Sequence, residues 1–294
     1  MIIRVKDILD IGNVKFKDKC ELENLKIGKK DDTSNHCLYW VKNISYYDNF
    51  TNGVLIISDN DYNKLKKNKK LNSKIIHLVC EGTTARLTYI LILNLVNKKN
   101  NNINYSDYHR NNSPNVVIMD NVYISNNVIL SEGTVLYPNV VIHSNVTIGK
   151  NCIIRENSCL GTNGMGFEKT ENDEWIRFPQ IGGLIIEDNV EIGSHSDIKR
   201  AALENTIIKK GCKLGSYTNI GHNCIIGENS LFTSHCVVAG SNNIGNNFYC
   251  GINASIKNGM DVGSNVTLGA NSFLNINAES YNTYVGTPAK VMKK

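Results

Sequence analysis

An aliphatic residue returns every six positions from Ile118 through Ile124, Leu130, Leu136, Ile142, Ile148 and Ile154 to Leu160. The register resumes at Ile186, Ile192 and Ile198, and after four extra residues it runs in sixes from Ile208 to Leu274. This period fits neither an α-helix, at about 3.6, nor a coiled coil, at about 3.5. It is the hexapeptide signature of a parallel β-helix. Four places after the aliphatic residue the side chain is small or β-branched, as at Val122, Thr134, Val140, Cys152, Thr218, Cys224 and Ser230. That is the size limit of a second inward position in a narrow coil. Three places after it stand residues that tolerate positive φ, such as Asn121, Asn127, Gly133, Asn139, Asn223 and Gly259. Each hexad is therefore predicted as one short strand and one sharp corner. Three hexads close a triangular coil of about 18 residues, and coils stack at about 4.8 Å.

The remainder of the chain reads differently. Val54–Asp59 and Lys74–Val79 are predicted as short buried strands, with a helix over 61–71 between them and another over 84–96. The expected organisation is a small α/β domain over 1–97, a polar linker over 98–114, the β-helix over 115–276 and a tail over 277–294. The fold class is thus mainly β. One interruption, Gly161 to Gly183, is too long for a corner and rich in glycine, aromatic and charged residues. A long loop leaving a rigid solenoid is where function is to be sought.

Composition narrows the classes. The net charge of +5 is modest, and the run Lys64, Lys66, Lys67, Lys69, Lys70 reads as a solvated helix end. No basic stripe interleaved with aromatics points to nucleic acid. No apolar run approaches a membrane span, and the opening Met1-Ile-Ile-Arg-Val-Lys is not a signal peptide. Five of the nine cysteines fall at core-facing repeat positions, where free thiols act as small hydrophobes. A cytoplasmic setting is expected. Histidines do not recur at coil spacing in the threes that a zinc site needs, so no metal is expected.

Three segments carry a resemblance: GTNGMGFEKTENDEWIRFPQIGGLIIEDNVEIG, IKRAALENTIIKKG and LGSYTNIGHNCIIGENS. Together they resemble UDP-3-O-acylglucosamine N-acyltransferase of lipid A biosynthesis, and LYWVKNISYYDN resembles that family's nucleotide-base pocket. The resemblance implies left-handed winding of the β-helix and a homotrimer. It places the catalytic base on His222, the oxyanion-binding backbone amide on Gly240, and a base clamp on Trp40, Asn43 and Tyr46. The residues give independent support. His222 and Gly240 are 18 positions apart, one full coil, which sets them at one corner about 4.8 Å apart. A histidine can accept a proton near neutral pH, and glycine lets backbone approach a ligand closely. His143 and His195 read as ordinary corner residues. His235, at an Asn-type corner, is a candidate supporting residue.

Several positions depart from that family. Lys199 in IKRAAL replaces an Asp, Gly215 and Ser216 replace Asp-Asn, and KNGMD lacks the family's second His. The ending VGTPAKVMKK is typical of hexapeptide enzymes that use coenzyme A, and Lys290 is the candidate for a coenzyme A phosphate. The expected activity is transfer of a short, 3-hydroxylated or plain acyl group from acyl-CoA to the amine of a UDP- or dTDP-linked amino deoxysugar, for surface polysaccharide. No permanently bound cofactor is expected. Two alternatives stand beside this reading. One is the lipid A enzyme itself, using acyl carrier protein; the other is a non-acylating β-helix such as a zinc hydratase or a scaffold.

Overall fold

The computed structural model describes residues 2–28, 34, 36–41, 44–100 and 114–292, with the side chains of 97–100 excepted. Asn43 and most of the predicted linker lie outside the described residues. The chain forms two compact units: residues 1–103 with 165–179, and residues 104–164 with 180–294.

The first unit holds a six-stranded sheet. Its elements in chain order are β1 (Ile2–Arg4), α1 (Val5–Leu9), β2 (Val14–Phe16), β3 (Asn24–Ile27), β4 (Cys37–Trp40), a 3₁₀ turn (Ile44–Asn49), β5 (Gly53–Ser58), α2 (Asp59–Lys67), β6 (Ile75–Cys80) and α3 (Ala85–Asn100). The strand order is β1-β3-β4-β5-β6-β2. β3 to β6 run parallel, with β1 and β2 antiparallel at the two edges. Val54 to Ile57 are all buried, as a central strand covered on both faces requires. α2 opens on Ser58, whose side chain accepts the Asp61 N–H at 3.2 Å. It ends four residues before the predicted position, and Lys69 just beyond takes a φ of 54°. α3 continues past its predicted end at Val96 to Asn100.

Residues 165–179 cluster with this unit although they are encoded within the repeat. Phe167–Lys169 and Trp175–Arg177 pair as an antiparallel hairpin. Glu168 takes an ion pair from Arg86 at 2.5 Å, and the Arg86 guanidinium lies 5.9 Å from the Phe178 ring centre.

The second unit is a coil of three stacked parallel sheets. Sheet one begins at Val117–Ile118, sheet two at Tyr123–Ile124 and sheet three at Val128–Leu130. Strand partners are 18 residues apart in regular stretches, as in Val135 with Ile153 and Asn219 with Val237. The aliphatic register points inward: Leu136, Ile142, Ile154, Ile198, Ile220, Val238 and Leu274 are fully buried. So are most of the small residues four places on, including Cys152, Cys224 and Cys236. The corner residues adopt the predicted left-handed conformation, with φ of 59° at Asn121, 61° at Asn139 and 72° at Gly259. Residues 277–292 contribute more than a tail. Thr283–Val285 pairs with Thr267–Leu268 and buries Tyr284, adding a strand to sheet one.

The register gains residues twice and shortens once near the end, where Thr267 pairs with Thr283, 16 residues on. Cys159 pairs with Asp197, 38 residues on, and Asp197 pairs with Asn219, 22 residues on. Both sets of extra residues leave the coil between sheet two and sheet three, at 161–183 and 199–206. One edge of the coil therefore carries both insertions.

Candidate functional site

That edge holds His222 and Gly240 on successive rungs. Each follows a buried β-position, Ile220 and Val238, whose strands pair directly. The imidazole lies on Gly240: a Cβ built there would stand 2.7 Å from Nε2 and 2.8 Å from Cε1. Gly164 also lies against the ring, where a Cβ would stand 2.5 Å from Cδ2. Glycine is required at both places because the ring fills the space a side chain would occupy. Among the described residues, no hydrogen bond engages the Gly240 N–H, whereas the neighbouring Ser241 N–H donates to the His222 carbonyl at 2.7 Å.

Asn223 supports the ring. It occupies a left-handed corner with φ of 59°. Its N–H donates to Thr206 Oγ1 at 2.9 Å, its Oδ1 accepts the Ala202 N–H at 2.8 Å, and its Nδ2 lies 3.0 Å from His222 Nδ1. Burial pushes the half-buried His222 imidazole below its ordinary range, and the nearby Lys199 ammonium pushes it the same way. Both effects favour the neutral ring. Lys199 donates to Asp197 at 2.7 Å, and Asp197 also accepts from Thr162 Oγ1.

Arg200 is buried at this edge and ties the irregular chain down. Its Nε donates to the Gly161 carbonyl at 2.8 Å, and its Nη2 to the Ser144 carbonyl. It thereby fixes the start of the segment that brings Gly164 onto His222. Sequence reasoning did not single out Asn223, Gly164 or Arg200 as site residues. All three lie in the segments NIGHNC, GTNGMG and IKRAAL that carried the resemblance.

The other predicted residues belong to other elements. His195 and His235 sit at the edge between sheets one and two, both with positive φ, and stack on Tyr217 at 4.9 and 4.7 Å. Lys290 is exposed on the last strand, antiparallel to Val285. In the first unit, Trp40 ends β4 half-buried against Tyr89, 6.2 Å between ring centres, and Tyr46 is exposed on the 3₁₀ turn that comes next in the chain. The C-terminal ends of parallel strands are where ligands bind in open α/β sheets. Behind Tyr46, a relay from buried Tyr47 through buried His77 to Asp18 anchors the turn. The Tyr47 hydroxyl bonds His77 Nε2 at 2.8 Å and accepts the Asn72 N–H, and His77 Nδ1 lies 2.7 Å from Asp18.

Among the described residues no three His, Cys, Asp or Glu side chains converge on one point, and no helix is long and apolar enough to cross a membrane.

Residues 127–162 and 205–240 match the bacterial transferase hexapeptide family (six repeats). The chain thus carries the hexapeptide repeat of bacterial transferases on extended parallel sheets. Over 68 residues it is 50% identical to a UDP-3-O-acylglucosamine N-acyltransferase of Dechloromonas aromatica, a match covering 23% of this chain and 19% of that protein. A namesake from Christiangramia forsetii is 48% identical over 69 residues, 24% of this chain and 20% of its own length. The chain therefore matches about a fifth of the length of these relatives. Among solved structures, an Arabidopsis UDP-N-acetylglucosamine acyltransferase superposes with a TM-score of 0.48 at 20% identity, covering 62% of this chain and 73% of that one. Over those 68 or 69 residues the chain is similar in sequence to proteins named UDP-3-O-acylglucosamine N-acyltransferase.

Proposed function

We propose that this protein is an N-acyltransferase that moves an acyl group from a thioester to the amine of a nucleotide-linked amino deoxysugar. The observation that carries the reading is the contact of the His222 imidazole with Gly240, whose N–H is free of hydrogen bonds among the described residues. A thioester carbonyl set beside them meets a hydrogen-bond donor for its developing oxyanion, a contribution of about 3 kcal/mol per donor. The sequence relation to enzymes named for amide formation on a UDP-sugar supports the same chemistry. Trp40, Asn43 and Tyr46 hold the base of a UDP- or dTDP-sugar in this reading, with rings for stacking and an amide for the imide edge of a pyrimidine.

The donor is acyl-CoA with a short acyl chain, and Lys290 meets a coenzyme A phosphate. Lys199 beside His222 makes this edge more basic than the family's Asp would, so the acceptor differs from that of the lipid A enzyme. The coil winds left-handed, and the protein acts as a cytoplasmic homotrimer that contributes to surface polysaccharide.

Purified protein incubated with a panel of UDP- and dTDP-linked amino sugars and short acyl-CoAs is expected to yield an acylated sugar nucleotide by mass spectrometry. Transfer from acyl carrier protein alone, to UDP-3-O-acylglucosamine, would replace this reading with that of the named relatives. Absence of transfer from either carrier would remove the enzyme reading.

A further inference from the structure

The bonds around Asn223 determine which nitrogen of His222 carries the proton. The backbone N–H of Ala202 points at one end of the Asn223 amide at 2.8 Å. An N–H can only donate, so that end is the oxygen. The other end is the NH₂ group, 3.0 Å from His222 Nδ1. It too can only donate, so Nδ1 presents a lone pair. A neutral imidazole has one ring proton, which is then on Nε2, the ring atom nearest the Cβ position of Gly240. The opposite tautomer would set Nδ1–H against the amide N–H, two donors with no lone pair between them.

We infer that Asn223 is a positioning residue that holds His222 as the Nε2–H tautomer. His222 then joins the Gly240 amide as a second donor to the thioester oxygen instead of taking the proton of the amine, a role that rests on the acyl-transfer reading, in which His222 stands at the reacting carbonyl. This assigns the ring an electrophilic task. The amine enters as its free base. Its lone pair forms the C–N bond while the carbonyl pair moves onto oxygen, between Nε2–H and the Gly240 N–H. The resulting ammonium gives its proton to water. The oxygen pair re-forms C=O, the C–S bond breaks, and the departing thiolate takes a proton from water. Amine and thioester become amide and thiol, and the protein ends with every proton it began with.

The test reads the tautomer directly. Isotope-edited NMR of the protein labelled with nitrogen-enriched histidine resolves protonated from unprotonated ring nitrogens, and the His222 signals are those lost in His222→Gln. In the neutral ring of the wild type, Nε2 is expected to be protonated and Nδ1 bare. In Asn223→Asp the carboxylate still accepts the Ala202 N–H but now also accepts from Nδ1, and the tautomer reverses. Transfer by Asn223→Asp, at a pH where the ring is neutral, is expected to fall about 100-fold relative to wild type. It recovers relative to wild type as the pH is lowered through the His222 midpoint, where both nitrogens carry protons. A wild-type ring protonated on Nδ1, or an Asn223→Asp variant more active than wild type with the ring neutral, would overturn the inference. The NMR needs no substrate. The expected tautomer in a protein that transfers no acyl group would count against the functional reading and leave the tautomer standing.

Discussion

His222 and Gly240, one rung apart, approach so closely that a methyl group on Gly240 would stand 2.7 Å from the imidazole Nε2. Gly240→Ala must therefore move the ring. The backbone of Gly240 is not in the left-handed region, so the substitution adds no conformational strain there. Acyl transfer is expected to fall about 100-fold, the effect of displacing a reacting group by about 1 Å, with a thermal midpoint close to wild type. Unchanged steady-state kinetics would show that the ring has room to yield.

His222→Ala is expected to lower kcat at least about 100-fold with little change in acceptor KM, because the lost contact is made in the transition state. Activity within a few-fold of wild type would take the residue out of the chemistry.

The pH behaviour of His222 is set by its surroundings. Burial is the larger cause of its lowered pKa and Lys199 the smaller, so Lys199→Met should raise the NMR titration midpoint without restoring the ordinary value. Because the folded value lies below the unfolded one of about 6.5, the native state binds fewer protons. The stability this provides is complete above about pH 6.5 and is lost as the pH falls through the folded pKa. Denaturation of wild type and His222→Gln should diverge in that acid window. Parallel curves there would contradict it.

The relay behind Tyr46 is a separate target. Tyr47→Phe removes the hydroxyl that bonds buried His77 and accepts the Asn72 N–H. Leaving those groups unpaired should cost about 1–3 kcal/mol in urea unfolding. A change within a few tenths of a kcal/mol of zero would mean the relay contributes nothing to stability.

Asn139 tests the corners. With φ of 61° it should accept glycine almost neutrally, while Asn139→Val should destabilise by about 1–2 kcal/mol. Equal melting curves for the two variants would show that corner geometry is not set by backbone strain.

The coil was legible because its period of six is dictated by sterics alone: an inward aliphatic such as Ile220, a small residue such as Cys224, and a corner such as Asn223 recur with each strand. The juxtaposition of His222 with Gly240 came from the same arithmetic. Where the chain leaves the period, that arithmetic fails. Gly164 reaches His222 through the first irregular segment and Ala202 reaches Asn223 through the second, so neither contact is encoded at a fixed offset. His195 and His235 were read as corners from the period alone, but their stacking on Tyr217 was not. Residue types one coil apart do not announce a stack of rings, which becomes visible only once the rungs are superposed.

The hairpin of residues 165–179 has a consequence for biosynthesis. The unit that begins at the N-terminus draws part of itself from the middle of the chain, and the Arg86 guanidinium meets Glu168 only through that later segment. On the ribosome, this unit stays unfinished until the first rungs of the coil have emerged, and a fragment cut before residue 165 would be released without its last piece.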